Sequence, residues 1–346
     1  ISLKIESVAL IMTIRLAQEQ TSNAAQAGSP IENPSGAALD EWRIGRGIEN
    51  LFESGTGRVS GARLRAPRWL ALWHLASLDA PTVAVVWSLG FAWMARVRLP
   101  GWAPAVLAMA VWAVYVADRL LDASSDLRSG ERGRLRDRHF FHWRHRRVLL
   151  TLAAMAAGVA TLLILGYMPA LLRERDSVLA AVSVAYFARV HSVSRSRPFL
   201  SRLFTKELLV GVLFTIGCAL PALGRLPAIP RVALWPILGA LAFFAQLAWL
   251  NCHAIDSWES EAIRHGRSRI LLKACVTAAT GIVLCLLIFI PSSRTAAMAA
   301  AGSSSALLLA WLDYRRNRLS PVALRALADV ALLAPAALAP IGWFIR

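Results

Sequence analysis

Apolar residues in this chain gather into long blocks rather than short alternating runs. From Arg68 onward nine such blocks follow one another, centred on 80–97, 102–121, 148–171, 177–190, 207–224, 232–252, 270–290, 295–312 and 322–345. Each approaches the roughly 20 residues that an α-helix needs to cross a bilayer. The pattern predicts an all-α fold, a polytopic membrane helical bundle of about nine transmembrane helices. Just before the first block, Trp69-Leu70-Ala71-Leu72-Trp73-His74-Leu75 reads as an interfacial approach with tryptophan at headgroup level. Residues 1–66 break the pattern. The stretch from Gln18 to Gly61 is rich in Ser, Gly, Asn, Gln and Ala without a sustained apolar period, so 1–66 reads as a disordered cytoplasmic tail ahead of a membrane domain over 67–346. The apolar character before Met12 is too brief for a signal peptide.

Composition strengthens this reading. Hydrophobic residues make up 57% of the 346 and charged residues 17%, whereas soluble domains sit near 45–50% and about 25%. That shift excludes a soluble enzyme and a disulfide-stapled secreted domain. The net charge of +17 raises the question of nucleic acid, but the cations are spread through the loops between apolar blocks instead of concentrating on one soluble module. The second loop, from Arg119 to Arg147, holds nine Arg, and the fourth, sixth and eighth loops are also cationic. The amino terminus and even loops are therefore predicted cytoplasmic by the positive-inside rule, in an inner membrane. Cys218, Cys252, Cys275 and Cys285 lie in or beside apolar segments without a CxxC pair, and read as small apolar residues.

The acidic residues carry the chemistry. Asp118, Asp122 and Asp126 recur every four residues where the second block closes on the cytoplasmic side. On a helix they drift by only about 40° per step and share one face. Like charges at that spacing repel, and the helix C-terminus disfavours anions. Helix stability does not explain them, whereas Mg²⁺, which takes one or two carboxylates and completes its shell with water and phosphate oxygens, does. A second cluster, Asn251-Cys-His-Ala-Ile-Asp-Ser-Trp-Glu-Ser-Glu261, closes the sixth block and offers Asn251, Asp256, Glu259 and Glu261. Asp256 is its candidate metal ligand. Arg189 and Lys206 face the same compartment and suit a diphosphate, as a bidentate fork and a point charge. The other loop cations read as topogenic charge that meets anionic lipid.

Two further features are expected to be structural. The run His139, His142, His145, set among Arg, Phe and Trp, predicts an interfacial amphipathic helix in preference to a metal site. In the ninth block, Arg325 and Asp329 stand four residues apart and can pair within the membrane.

With these motifs at the cytoplasmic ends of the second and sixth helices, residues 70–346 resemble the UbiA superfamily of intramembrane prenyltransferases. The family's first motif reads Asn-Asp-x-x-Asp-x-x-x-Asp; Asp118, Asp122 and Asp126 fall on its first, third and fourth fixed positions, while Asp118 replaces the Asn and Arg119 the first Asp. In the second motif, Asp-x-x-x-Asp, Asp256 matches the start and Ser260 stands where the second Asp belongs, flanked by Glu259 and Glu261. Tyr186 with Arg189 or His191 resembles the family's Tyr and basic residue near the fourth helix. The resemblance implies Mg²⁺-dependent transfer of a prenyl group from an isoprenyl diphosphate donor to a lipophilic or aromatic acceptor. It assigns metal binding to Asp122, Asp126, Asp256 and Glu259, with Asp118 assisting, and diphosphate binding to Lys206, Arg189, Tyr186 and Asn251. A related pattern, that of the CDP-alcohol phosphotransferases, requires an Asp-Gly that is missing here. A catalytically silent isoprenoid- or lipid-binding protein and a transporter are the non-enzyme alternatives.

Overall fold

Several helix starts are written in the local sequence. The computed structural model describes residues 64–128, 137–178, 181, 206–226, 231–264, 269–290 and 292–338, and within them the apolar blocks are helical. They form α1 (Arg68–Leu75), α2 (Asp79–Met94), α3 (Trp102–Arg128), α4 (Asp137–Arg144), α5 (Arg146–Tyr167), α6 (Lys206–Leu223), α7 (Arg231–Arg264), α8 (Ile270–Ile288), α9 (Ser293–Arg315) and α10 (Pro321–Ala331). At α10, Ser320 accepts a hydrogen bond from the Ala323 amide at 3.2 Å, and Pro321 occupies the first turn, where no amide donor is needed. Ser292 caps α9 in the same way. The residue before α8 provides no side-chain cap; buried Asp313 on α9 supplies it, accepting the Leu271 amide at 3.0 Å and the Trp258 indole N–H at 2.8 Å.

Six helical stretches are long and apolar enough to cross a membrane, and a seventh span results if α1 and α2 count as one. The chain is an all-α polytopic membrane bundle. Of the nine expected blocks, the fifth gives the shorter apolar helix Glu207–Leu223, and most of the fourth lies outside the described residues. The first block does not run straight. α1 meets α2 at 86°, and Ser77 between them takes a left-handed φ of 59°, a conformation that costs a non-glycine residue about 1–2 kcal/mol. The break is held from outside: Ser77 Oγ lies 3.0 Å from His142 Nε2 on α4, and the Ala76 carbonyl accepts the Trp112 indole N–H from α3 at 3.0 Å. The outer side of α1, with Trp69 and Leu72, stays exposed, in keeping with an interfacial approach. His142, by contrast, is fully buried, so α4 closes on the break with its histidine instead of offering it to the headgroups.

Aromatic rings fill the centre. Trp87 and Phe91 of α2 meet Phe244 of α7 edge to face at 4.7 and 5.2 Å, and Phe214 of α6 approaches Trp87 at 5.6 Å. Trp87 also donates its indole N–H to the Leu332 carbonyl at 2.9 Å. α8 and α9 pack through small residues, Gly281 of α8 leaving no room for a Cβ against Ser303 Oγ of α9, as expected where no hydrophobic effect drives helices together and close backbone approach must do so. Gly302 lies against Phe243, whose ring a Cβ at that position would meet at 2.5 Å. Leu64 pairs with the turn after α9 through Leu64 N–Arg318 O (2.8 Å) and Ser320 N–Leu64 O (3.0 Å). The chain ahead of α1 and the turn into α10 thus share one end of the bundle.

The same substitution tests this packing at two sites. Gly302→Ala forces Phe243 to move and is expected to cost about 1–3 kcal/mol. Gly158→Ala, with nothing within 4 Å, is expected to be neutral or to stabilise α5 by up to about 1 kcal/mol. Thermal unfolding of the two variants in detergent checks the contrast.

Candidate functional site

The break between α1 and α2 leaves His74 in the last turn of one helix and Asp79 in the first turn of the next. Both are buried, at 3% and 1% exposure. An acidic residue in the first turn of α2 meets the positive end of the helix dipole, and Asp79 Oδ1 accepts the Ala80 amide at 2.9 Å. Its other oxygen, Oδ2, lies 2.7 Å from His74 Nδ1. Two further helices reach this pair. From α3, Arg119 places Nη2 3.5 Å from Asp79 Oδ2 and donates from Nη1 to the His74 carbonyl at 3.1 Å. From α10, Asp329 places Oδ2 3.7 Å from His74 Nδ1. Asn251 on α7 joins by donating from Nδ2 to Asp329 Oδ1 at 3.1 Å. The Tyr115 ring, one turn before Arg119, lies beneath its guanidinium at 5.5 Å.

Four charged or ionisable side chains and one amide, from five helices, therefore meet inside the bundle. Isolated charges in such surroundings cost several kcal/mol each, and mutual pairing is what offsets that cost. Arg119 provides a fixed positive charge, and its planar fork serves a carboxylate and a carbonyl at once. Two buried polar atoms of this cluster nevertheless lack a hydrogen-bond partner among the described residues: His74 Nε2 and Asn251 Oδ1.

The residues singled out from sequence fall around this cluster in different ways. Asn251 is part of it. Asp118 and Asp122 flank Arg119 on α3 and are half-buried. Asp126 continues the same helix, but its side chain lies outside the described residues, as does that of Lys206 at the start of α6. Tyr186 and Arg189 fall wholly outside them. Asp256 is exposed, about 140° around α7 from Asn251. Glu259 forms an ion pair with Arg325 of α10. Arg325 thus reaches across to α7, while Asp329 turns to His74 and Asn251, so the four-residue spacing of Arg325 and Asp329 serves to join α10 to two other elements.

Sequence reasoning passed over His74 and Asp79 and read Arg119 as a departure from a motif. The available signal for Asp79 was an unpaired acid at the first turn of an apolar block. A second polar group was also missed, on the other face of α7. There His253 stacks on Trp249 with ring centroids 5.2 Å apart, and Lys273 of α8 contacts His253 Nε2 and lies 5.5 Å from the Trp249 ring.

No family model, curated protein or solved structure matches this chain.

Because Arg119 neutralises carboxylate charge in a buried setting, Arg119→Met is expected to cost about 3–5 kcal/mol. Asp256→Asn, at an exposed site, should stay within about 0.5 kcal/mol of the parent. Chemical unfolding in detergent micelles compares them, and equal stability of the two variants would contradict the burial argument.

Proposed function

We propose that this chain is a Mg²⁺-dependent membrane transferase that takes a prenyl group from an isoprenyl diphosphate and passes it to a lipophilic or aromatic acceptor, as its resemblance to the UbiA superfamily implies. The observation that supports this reading most is that one residue from each acidic stretch joins the same buried cluster. Arg119, between Asp118 and Asp122, and Asn251, at the head of the Asp256–Glu259 stretch, bond into the same set of side chains. Both stretches accordingly belong to one end of the bundle. In this reading that end is cytoplasmic, the amino terminus lies on the same side, and the membrane is a bacterial inner membrane.

The donor set suits the ion. Asp118 and Asp122 offer carboxylate oxygens on one half-buried helix face, and hard oxygen ligands are those that Mg²⁺ prefers. Mg²⁺ held by Asp118, Asp122, Asp126 and Asp256 would neutralise the diphosphate as negative charge develops on the leaving group. Lys206 and Arg189 supply further positive charge to the phosphate oxygens. Glu259, engaged with Arg325, acts in this scheme by tying α7 to α10 and not as a metal ligand.

One observation favours a second reading, transport. Transporter sites are often built where a membrane helix is broken, and the buried ions here sit at the 86° break between α1 and α2.

Geranylgeranyl diphosphate binding to the full-length protein in detergent separates the readings. The prenyl-transfer reading predicts binding that requires Mg²⁺ and weakens about tenfold or more in Asp122→Asn. Binding indifferent to Mg²⁺ and to Asp122 would contradict it, and flux of a substrate in proteoliposomes would then favour transport.

A further inference from the structure

The cluster at the helix break has the makings of a metal site that is separate from the acidic face of α3. His74 Nδ1, Asp79 Oδ2 and Asp329 Oδ2 converge so that all three lie within 4.8 Å of one another. His74 Nδ1 is 2.7 Å from the first oxygen and 3.7 Å from the second. Ligand atoms bound at about 2.0–2.2 Å to one ion stand about 3 to 3.5 Å apart at octahedral or tetrahedral angles. These two separations bracket that range, and the two carboxylate oxygens lie within 4.8 Å of each other, so a modest closing of the three side chains seats an ion. All three side chains come from rigid helices, and His74 and Asp79 are almost fully buried.

A second observation points the same way. Asn251 is 6% exposed and holds Asp329 through its amide nitrogen, yet its Oδ1 has no hydrogen-bond partner among the described residues. His74 Nε2 shares this condition. Leaving such buried groups unsatisfied costs about 1–3 kcal/mol each. A cation with one or two bound waters meets the first need, its water donating to Asn251 Oδ1, while a metal on Nδ1 leaves the imidazole as the Nε2–H form with that group turned away from the ion. Asp79 alone of the two carboxylates reaches the Arg119 guanidinium, at 3.5 Å, whereas Asp329 is held by His74 and Asn251.

We infer that His74, Asp79 and Asp329 bind one first-row divalent transition-metal cation, with Asn251 in its surroundings. The imidazole decides the class. Mg²⁺ and Ca²⁺ take oxygen shells, whereas a mixed nitrogen and oxygen set suits Zn²⁺, Co²⁺, Mn²⁺ or Fe²⁺. Such an ion would join α1, α2 and α10 at the break. The inference stands independently of prenyl transfer and concerns different residues from those proposed to hold Mg²⁺.

Co²⁺ provides the test. The full-length protein in detergent is stripped with a chelator, supplied with excess Mg²⁺ to occupy oxygen-only sites, and titrated with Co²⁺. The expected result is a visible d–d absorption that saturates at about one ion per chain. Its affinity should fall about tenfold or more in His74→Gln and in Asp329→Asn and remain unchanged in Asp122→Asn. Absence of a saturable band, a band retained in both cluster variants, or a band lost only in Asp122→Asn would overturn the assignment. X-ray absorption of the Zn²⁺-loaded parent protein needs no variant. An imidazole in a predominantly oxygen shell supports the site, and an all-oxygen shell contradicts it.

Discussion

Charge buried at a helix break is the constraint around which the rest of this bundle is arranged. A helix that turns by 86° must satisfy the backbone groups buried at the turn. Here the Ala76 carbonyl takes the Trp112 indole and the His74 carbonyl takes Arg119. Arg119 in turn requires an anion, which Asp79 provides, and Asp79 and Asp329 both reach His74. Each contact creates the need for the next, and the chain of needs runs through α1, α2, α3, α7 and α10. Below it, the Trp87–Phe244 ring contacts carry the apolar part of the same helices.

This arrangement also accounts for the departure of Arg119 from the acidic motif. A carboxylate at that position would add negative charge to a site that already holds Asp79 and Asp329. The guanidinium neutralises part of that charge while Asp118 and Asp122 on either side remain at the half-buried face of α3. One helix end thus serves two polar environments, an inner one that orders the bundle and an outer, half-buried face that carries Asp118 and Asp122.

Much of the fold was legible because the bilayer imposes a length. Blocks such as 102–121, 148–171 and 270–290 correspond to α3, α5 and α8, and Ser292 and Ser320 mark helix starts by cap chemistry that acts within three residues. The bend after Leu75 was not legible, since Ser77 adopts its positive φ under contacts from α3 and α4 that are remote in sequence. The site divides in the same way. Asp118 and Asp122 stood out through their four-residue spacing on one helix, and Asn251 as an oxygen donor beside the second acidic cluster. His74, Asp79 and Asp329 belong together only across three helices, and Arg325 pairs with Glu259, 66 positions away in sequence. Periodicity reports which residues share a face and is silent on which faces meet.

The central claim is that Arg119 and Asp79 are energetically coupled inside the bundle. A double-mutant cycle of Arg119→Met and Asp79→Asn, read by unfolding in detergent, measures that coupling. The account predicts an interaction energy above about 1 kcal/mol, with the double variant less damaged than the sum of the single variants. Additivity within about 0.3–0.5 kcal/mol, the behaviour of independent sites, would contradict it.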